Sequence, residues 1–91
     1  WNIKLTLQFI KESGIQIIAC SEKANENMYN PNYKLPTAII IGSEEDGISE
    51  ELLKICDKKV KIPMKGKIAS LNASVASGVI LYEILKQRGD V

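Results

Sequence analysis

Histidine is absent from the 91 residues, and arginine occurs once, as Arg88. Cysteine occurs twice, as Cys20 and Cys56. No ligand set with metal spacing can be assembled from these, so no metal is expected. The two thiols read most simply as small buried hydrophobes, with a disulfide the less favoured alternative. An excess of charge of one sign is also missing. Twelve basic against 11 acidic residues leave a net charge of +1, which gives no general footprint for nucleic acid, so any such contact must be a local patch. No apolar run reaches membrane-spanning length and no signal peptide is visible. A soluble protein in a reducing, cytoplasmic setting is therefore the expectation, with no membrane partner. Neither G-x-x-x-x-G-K-[ST] nor G-x-G-x-x-G occurs, which removes the two common phosphate cradles.

Apolar residues make up 45% of the chain and charged residues 25%, an ordinary globular balance that argues against disorder. The chain starts at Trp1 rather than Met, which predicts a fragment truncated at its N-terminus. A domain this small buries a modest core, so a partner or a missing segment is expected to add to its stability.

Leu5, Leu7, Phe9 and Ile10 precede Lys11-Glu12-Ser13-Gly14 and predict a short helix stopped at Gly14. Ile15 to Cys20 (IQIIAC) predicts a buried strand, and the polar stretch from Ser21 to Pro36 a loop. Thr37 to Ile41 (TAIII) is the clearest strand. Its continuous apolar character predicts cover on both faces. Ser49 is placed to cap a helix whose first turn carries Glu50 and Glu51, with Leu52, Leu53 and Cys56 as its inner stripe. Lys58 to Ile62 (KKVKI) alternates, so it predicts a strand with one wet face, stopped by Pro63. Ser70 is expected to cap a last helix reaching about Arg88, with Gly89 as its stop. That helix is apolar around most of its girth, through Val75, Val79, Leu81, Tyr82 and Leu85, and is expected to be buried. The alternation of strands and helices predicts an α/β domain with a mainly parallel sheet.

In an open parallel sheet, ligands bind beyond the carboxyl ends of the strands. Three such ends are readable: Cys20-Ser21-Glu22-Lys23, Ile41-Gly42-Ser43-Glu44 and Ile62-Pro63-Met64-Lys65. They converge if the three strands are neighbours. Gly42 allows close backbone approach, and Gly47 opens the following helix. The carboxylates of Glu44, Glu45 and Asp46 would repel a polyphosphate, so the turn suits a cationic or neutral ligand, or is simply solvated. Small residues at Ala73, Ser74, Ala76, Ser77 and Gly78 point to tight packing at the start of the last helix, which fits a core helix as well as a ligand site.

Two of these segments carry a family resemblance. Ile39 to Ser49 (IIIGSEEDGIS) resembles the second conserved motif of the SpoU methyltransferases, and Ile62 to Glu83 (IPMKGKIASLNASVASGVILYE) resembles their third. Ala19 to Ala24 (ACSEKA) lies where that family has a further, more variable loop. The resemblance spans essentially residues 1–91, as the C-terminal portion of the catalytic domain. It implies a C-terminal trefoil knot, in which the last helix tucks through a loop of preceding segments. It implies S-adenosylmethionine as cofactor, bound bent within the knot. Carried onto this sequence, the adenosine contacts fall on Gly42, Ile62 and Leu71, with Met64 and Ser70 beside them. Asn72 would position the methionine part or the incoming ribose, and Glu44 would hold the loops or a dimer contact.

The implied reaction is methyl transfer to a ribose 2′-hydroxyl of rRNA or tRNA, by a homodimer. The family's proton-removing arginine belongs to an upstream motif that has no counterpart here, and Arg88 lies too far along the last helix to replace it. Glu45 departs from the small residue usual at its place. The alternative reading is a non-catalytic knotted module for RNA binding or dimerisation. Lys54, Lys58, Lys59, Lys61, Lys65 and Lys67 cluster in sequence, either to meet phosphates or as scattered surface lysines.

Overall fold

The computed structural model describes residues 2–43, 46–65 and 72–91. The elements run α1 (Ile3–Glu12), β1 (Gln16–Cys20), β2 (Glu26–Asn27), β3 (Thr37–Ile41), α2 (Glu50–Leu53), β4 (Lys58–Lys61) and α3 (Ala73–Gln87). The four strands form one sheet in the order β2-β4-β1-β3, and every pairing is parallel. The expected α/β architecture with a parallel sheet is what the chain adopts.

The central strand is β1. Ile18 is level with Ile39 of β3 on one side and with Lys58 of β4 on the other. Ile17, Ile18 and Ala19 are each fully buried, as the apolar run predicts for a strand covered on both faces. Asp57 extends the pairing at the start of β4. Its N–H donates to the Ile17 carbonyl at 2.8 Å, and its Oδ2 accepts from the Ile17 N–H at 2.7 Å.

β3 departs from expectation. Its five residues are only half-buried, because β3 pairs with β1 alone and forms the sheet's edge among the described residues. β2, a two-residue strand inside the stretch expected to be loop, pairs Glu26 with Val60 and Asn27 with Lys61. Nothing in its polar composition signals a strand; β4 supplies the ladder partner.

Ile18, Met28, Tyr33, Val60, Ile80 and Ile84 form the main core cluster, bringing α3 onto one face of the sheet. Complete burial of side chains such as Ile18, Val60 and Ile80 contributes about 1.5–3 kcal/mol each. α1 packs against β1, with Leu7 as its buried residue. Asn2 caps α1, its side chain accepting from the Leu5 N–H at 3.2 Å, and Gly14 follows the helix with a φ of +84°. Lys4 donates to Glu51 at 2.7 Å, joining α1 to α2.

α3 is less covered than its composition suggests. Ala76, Ile80, Glu83 and Ile84 are buried, whereas Val75, Leu81, Tyr82 and Leu85 are exposed. One face meets the sheet, and an apolar opposite face stays open. Its cap is Asn72, whose side chain accepts from the Val75 N–H at 2.8 Å. Ser70, expected in that role, lies outside the described residues. α2 ends at Leu53, so Cys56 falls beyond the helix, although its thiol still reaches the Leu52 carbonyl at 3.3 Å. Residues 66–71, which lead into the last helix expected to tuck through a loop of preceding segments as a trefoil knot, lie outside the described residues.

The far end of α3 is tied to the loop before β3. The Gln87 carboxamide oxygen accepts from the Tyr33 N–H at 3.0 Å, and the Arg88 guanidinium donates to the carbonyls of Tyr33 and Leu35 at 2.8 and 3.1 Å. The Tyr33 hydroxyl donates to the Met28 carbonyl at 2.6 Å. Burial, followed by the nearby Glu83 charge, pushes this phenol up to about 12.

Candidate functional site

The neighbouring order β4-β1-β3 places three strand ends side by side. Beyond those carboxyl ends lies a cavity of about 390 Å³, which also reaches the first turn of α3 through Ala73 and Ala76. This is where a parallel sheet ordinarily receives a ligand, and the volume falls within the range of small-molecule sites, roughly 300–1,000 Å³.

Each strand end supplies one wall. β1 contributes Cys20 and the following Ser21, Glu22, Lys23 and Ala24; β3 contributes Ile41, Gly42, Ser43, Asp46, Gly47 and Ile48. β4 contributes Lys59, Ile62 and Met64, while α2 adds Glu50 and Leu53. The lining is therefore mixed. Ile41, Ile48, Leu53, Ile62 and Met64 give an apolar side, and the charged members among the described residues are Glu22, Asp46, Glu50, Lys23 and Lys59.

The β3 loop folds back on itself. Ser43 and Gly47 form an isolated antiparallel bridge, with the Gly47 N–H donating to the Ser43 carbonyl at 2.9 Å. The Asp46 N–H donates to the Ser43 hydroxyl at 3.1 Å. Gly47 holds a φ of +66°, a conformation that favours glycine. A Cβ on Gly42 would collide with the backbone of Gly47 and Ile48. Glycine at 42 therefore permits the closed loop.

Cys20 lines the cavity, and burial pushes its thiol above the ordinary value. At neutral pH it is a protonated, weakly polar wall and not a nucleophile. Among the described residues, no group of three or more His, Cys, Asp or Glu side chains could hold a metal ion.

Gly42, Ile62 and Met64, the residues singled out in the sequence, all line this one cavity. Asn72 stands directly before the lining residue Ala73 and spends its side-chain oxygen on the helix cap. Glu44, Ser70 and Leu71 lie outside the described residues, as does Glu45. Sequence reasoning weighed Asp46 only as part of an acidic turn and did not assign Glu50 or Lys59 to the cavity. The loop signal was present for Asp46, whereas only the fold shows that α2 and β4 turn Glu50 and Lys59 toward the same space.

The fold is an α/β domain with a cavity built from loops at the carboxyl edge of a parallel sheet. Its family is set by comparison: the SpoU rRNA Methylase family profile matches residues 1–82, and the chain belongs to that family. The 23S rRNA (guanosine-2′-O-)-methyltransferase RlmB of Ralstonia nicotianae is 38% identical over 90 residues, 99% of this chain and 36% of that protein. Among solved structures, the TrmH/SpoU tRNA modifying enzyme of A. aeolicus superposes with a TM-score of 0.89 at 41% identity, over 98% of this chain and 46% of that one. The SpoU methyltransferase AviRb of Streptomyces viridochromogenes, solved in complex with AdoMet, gives 0.83 at 31% identity, over 98% and 36%. The chain thus spans 36% of the Ralstonia protein and 46% of the A. aeolicus chain.

Proposed function

We propose that this chain is the C-terminal, cofactor-binding portion of an S-adenosylmethionine-dependent RNA ribose 2′-O-methyltransferase domain. The observation that carries the reading is the convergence of Gly42, Ile62 and Met64 on one cavity at the carboxyl edge of the sheet. AviRb, which shares the fold at 31% identity, is described in complex with AdoMet, and the relative from Ralstonia is named for 2′-O-methylation of 23S rRNA.

The cavity suits the cofactor's chemistry. Its apolar side, with Ile41, Ile62 and Met64, fits the face of an adenine ring. Glu22, Asp46 and Glu50 offer negative charge to a ligand carrying an ammonium and a sulfonium, and Lys23 and Lys59 can meet its carboxylate. S-adenosylmethionine supplies an electrophilic methyl group. The protein's part is to align that methyl with a ribose hydroxyl and keep water out, an entropic contribution of several kcal/mol in well-oriented reactions. Asn72, Glu44, Ser70 and Leu71 are assigned to the same site on the family's third and second motifs.

Proton removal from the hydroxyl falls to a group outside these 91 residues. Arg88 follows α3, whose opposite end meets the cavity; fifteen helical residues separate those ends by about 22 Å. Its guanidinium is also engaged by two carbonyls. The exposed apolar face of α3, with Leu81, Tyr82 and Leu85, supports assembly as a homodimer.

Calorimetric titration with S-adenosylmethionine and S-adenosylhomocysteine tests the reading. Saturable binding by the chain, abolished by Met64→Asp with the melting temperature retained, is the expected result. Equal binding by the variant would remove the cofactor from this cavity.

A further inference from the structure

A second concavity, a groove of about 580 Å³, runs beside the first. It is lined by Lys23, Lys54, Lys58 and Lys59 together with Glu26 and Asp57. Lys23, Ala24, Leu53 and Lys59 border both spaces, so the groove is continuous with the cavity wall.

Its charge is not balanced. Glu26 faces Lys58 at 3.7 Å, and Asp57 faces Lys11 at 3.6 Å while accepting from the Ile17 N–H. Both acids are thus engaged. Lys23, Lys54 and Lys59 form no ion pair among the described residues, and all three are exposed. These lysines come from three separate elements: the loop after β1, the end of α2, and β4. The fold gathers them on a chain whose net charge is only +1. Lys23 comes from outside the sequence cluster of lysines, and Lys61, within that cluster, does not line the groove.

We infer that this groove is a track for the RNA phosphate backbone, leading substrate toward the cofactor cavity. The inference rests on the RNA-methyltransferase reading and assigns the substrate a surface. Lysine ammonium groups meet phosphates as point charges, releasing counterions and giving affinity without sequence preference. The border residues Lys23 and Lys59 place the end of that track against the cofactor space.

The test compares the salt dependence of RNA binding in two double variants of the chain. Lys54→Gln with Lys58→Gln alters the groove at positions that do not line the cofactor cavity. Lys34→Gln with Lys86→Gln removes the same charge elsewhere. Binding of a fluorescein-labelled oligouridylate is followed by anisotropy across a salt series. Each lost phosphate contact lowers the log–log salt slope by about 0.7 on single strands. The groove variant is expected to lose about 0.7–1.4 from the slope, one increment for Lys54 and up to a second for Lys58, whose pairing with Glu26 at 3.7 Å competes with phosphate, and the control almost nothing. Equal slopes in both variants, or no RNA binding by the parent chain, overturn the inference. Titration of the parent chain and both variants with S-adenosylmethionine is the separate readout. Retained cofactor binding beside unequal or equal RNA slopes judges the groove alone, whereas loss of cofactor binding by the parent chain strikes the function reading itself.

Discussion

Gly42 and Gly47 lie back to back across the loop after β3, so that a Cβ on Gly42 would stand 2.8 Å from the Gly47 Cα. The two glycines serve different needs. At position 42 the backbone leaves no room, whereas at position 47 there is open space but a positive φ.

Gly42→Ala and Gly47→Ala should therefore fail in different ways. Forcing a methyl group against backbone costs typically about 1–3 kcal/mol, and relief requires the loop to open. Gly42→Ala is expected to weaken S-adenosylmethionine binding by at least tenfold, measured by calorimetry. Gly47→Ala carries a conformational cost of about 1–2 kcal/mol and should lower the melting temperature with a smaller effect on affinity.

Asn72 can be separated into a capping part and a site part. Its side chain accepts from the Val75 N–H at 2.8 Å, and replacing such a cap by Ala costs about 1 kcal/mol. Serine restores the cap. Asn72→Ser is expected to keep the melting temperature while Asn72→Ala lowers it. Impaired cofactor binding in both would show that the carboxamide also serves the ligand; full binding by Asn72→Ser would reduce Asn72 to a cap.

Cys20 reports on the cavity and Cys56 on its surroundings. Burial raises both thiols above their ordinary value, so alkylation by N-ethylmaleimide should be slow at neutral pH and quicken as pH rises. Saturating S-adenosylmethionine is expected to slow modification of Cys20, which lines the cavity, and to leave Cys56 unchanged. Peptide mass spectrometry distinguishes the two.

Tyr33 sets a limit on stability at high pH. Its phenol is raised from 10.0 to about 12, so the folded state holds the proton more tightly than the unfolded state. The sign follows from proton linkage: this contribution is complete below about pH 10 and is lost as pH rises toward 12. Tyr33→Phe should cost about 1 kcal/mol at neutral pH through the lost bond to the Met28 carbonyl, and should flatten the alkaline fall. Denaturant midpoints across pH check both effects.

Arg88 should prove structural. Arg88→Ala removes two bonds to the loop carbonyls of Tyr33 and Leu35, at about 1–2 kcal/mol for a partly exposed charged donor. Thermal unfolding should register the loss. Affinity for the cofactor should not change.

Much of this arrangement is legible in the sequence because periodicity and punctuation are local. IQIIAC and TAIII announce strands, Ser49 and Gly14 mark helix ends, and the strand-end rule directs attention to Gly42, Ile62 and Met64. What the sequence does not reveal depends on neighbours. The edge position of β3 follows from strand order, and β2 exists because β4 offers a partner to Glu26 and Asn27. The exposure of Val75, Leu81, Tyr82 and Leu85 depends on which face of α3 meets the sheet. Apolar girth alone could not select that face. Glu50 and Lys59 escaped notice as site residues for the same reason: each belongs to an element whose orientation is a tertiary fact.

The central strand has two neighbours that both follow it in the chain, and one of them, β4, is separated from it by the whole of β3 and α2. During synthesis β1 can pair with β3 as soon as Thr37–Ile41 has emerged, but its other edge must wait for Lys58–Lys61. Only then can Ile17 exchange bonds with Asp57 across 40 positions. Such long-range parallel pairing folds slowly because loop closure precedes its reward. In that interval one edge of IQIIAC stands open to a second strand, so the order of the sheet bears on how the chain folds as well as on where its site lies.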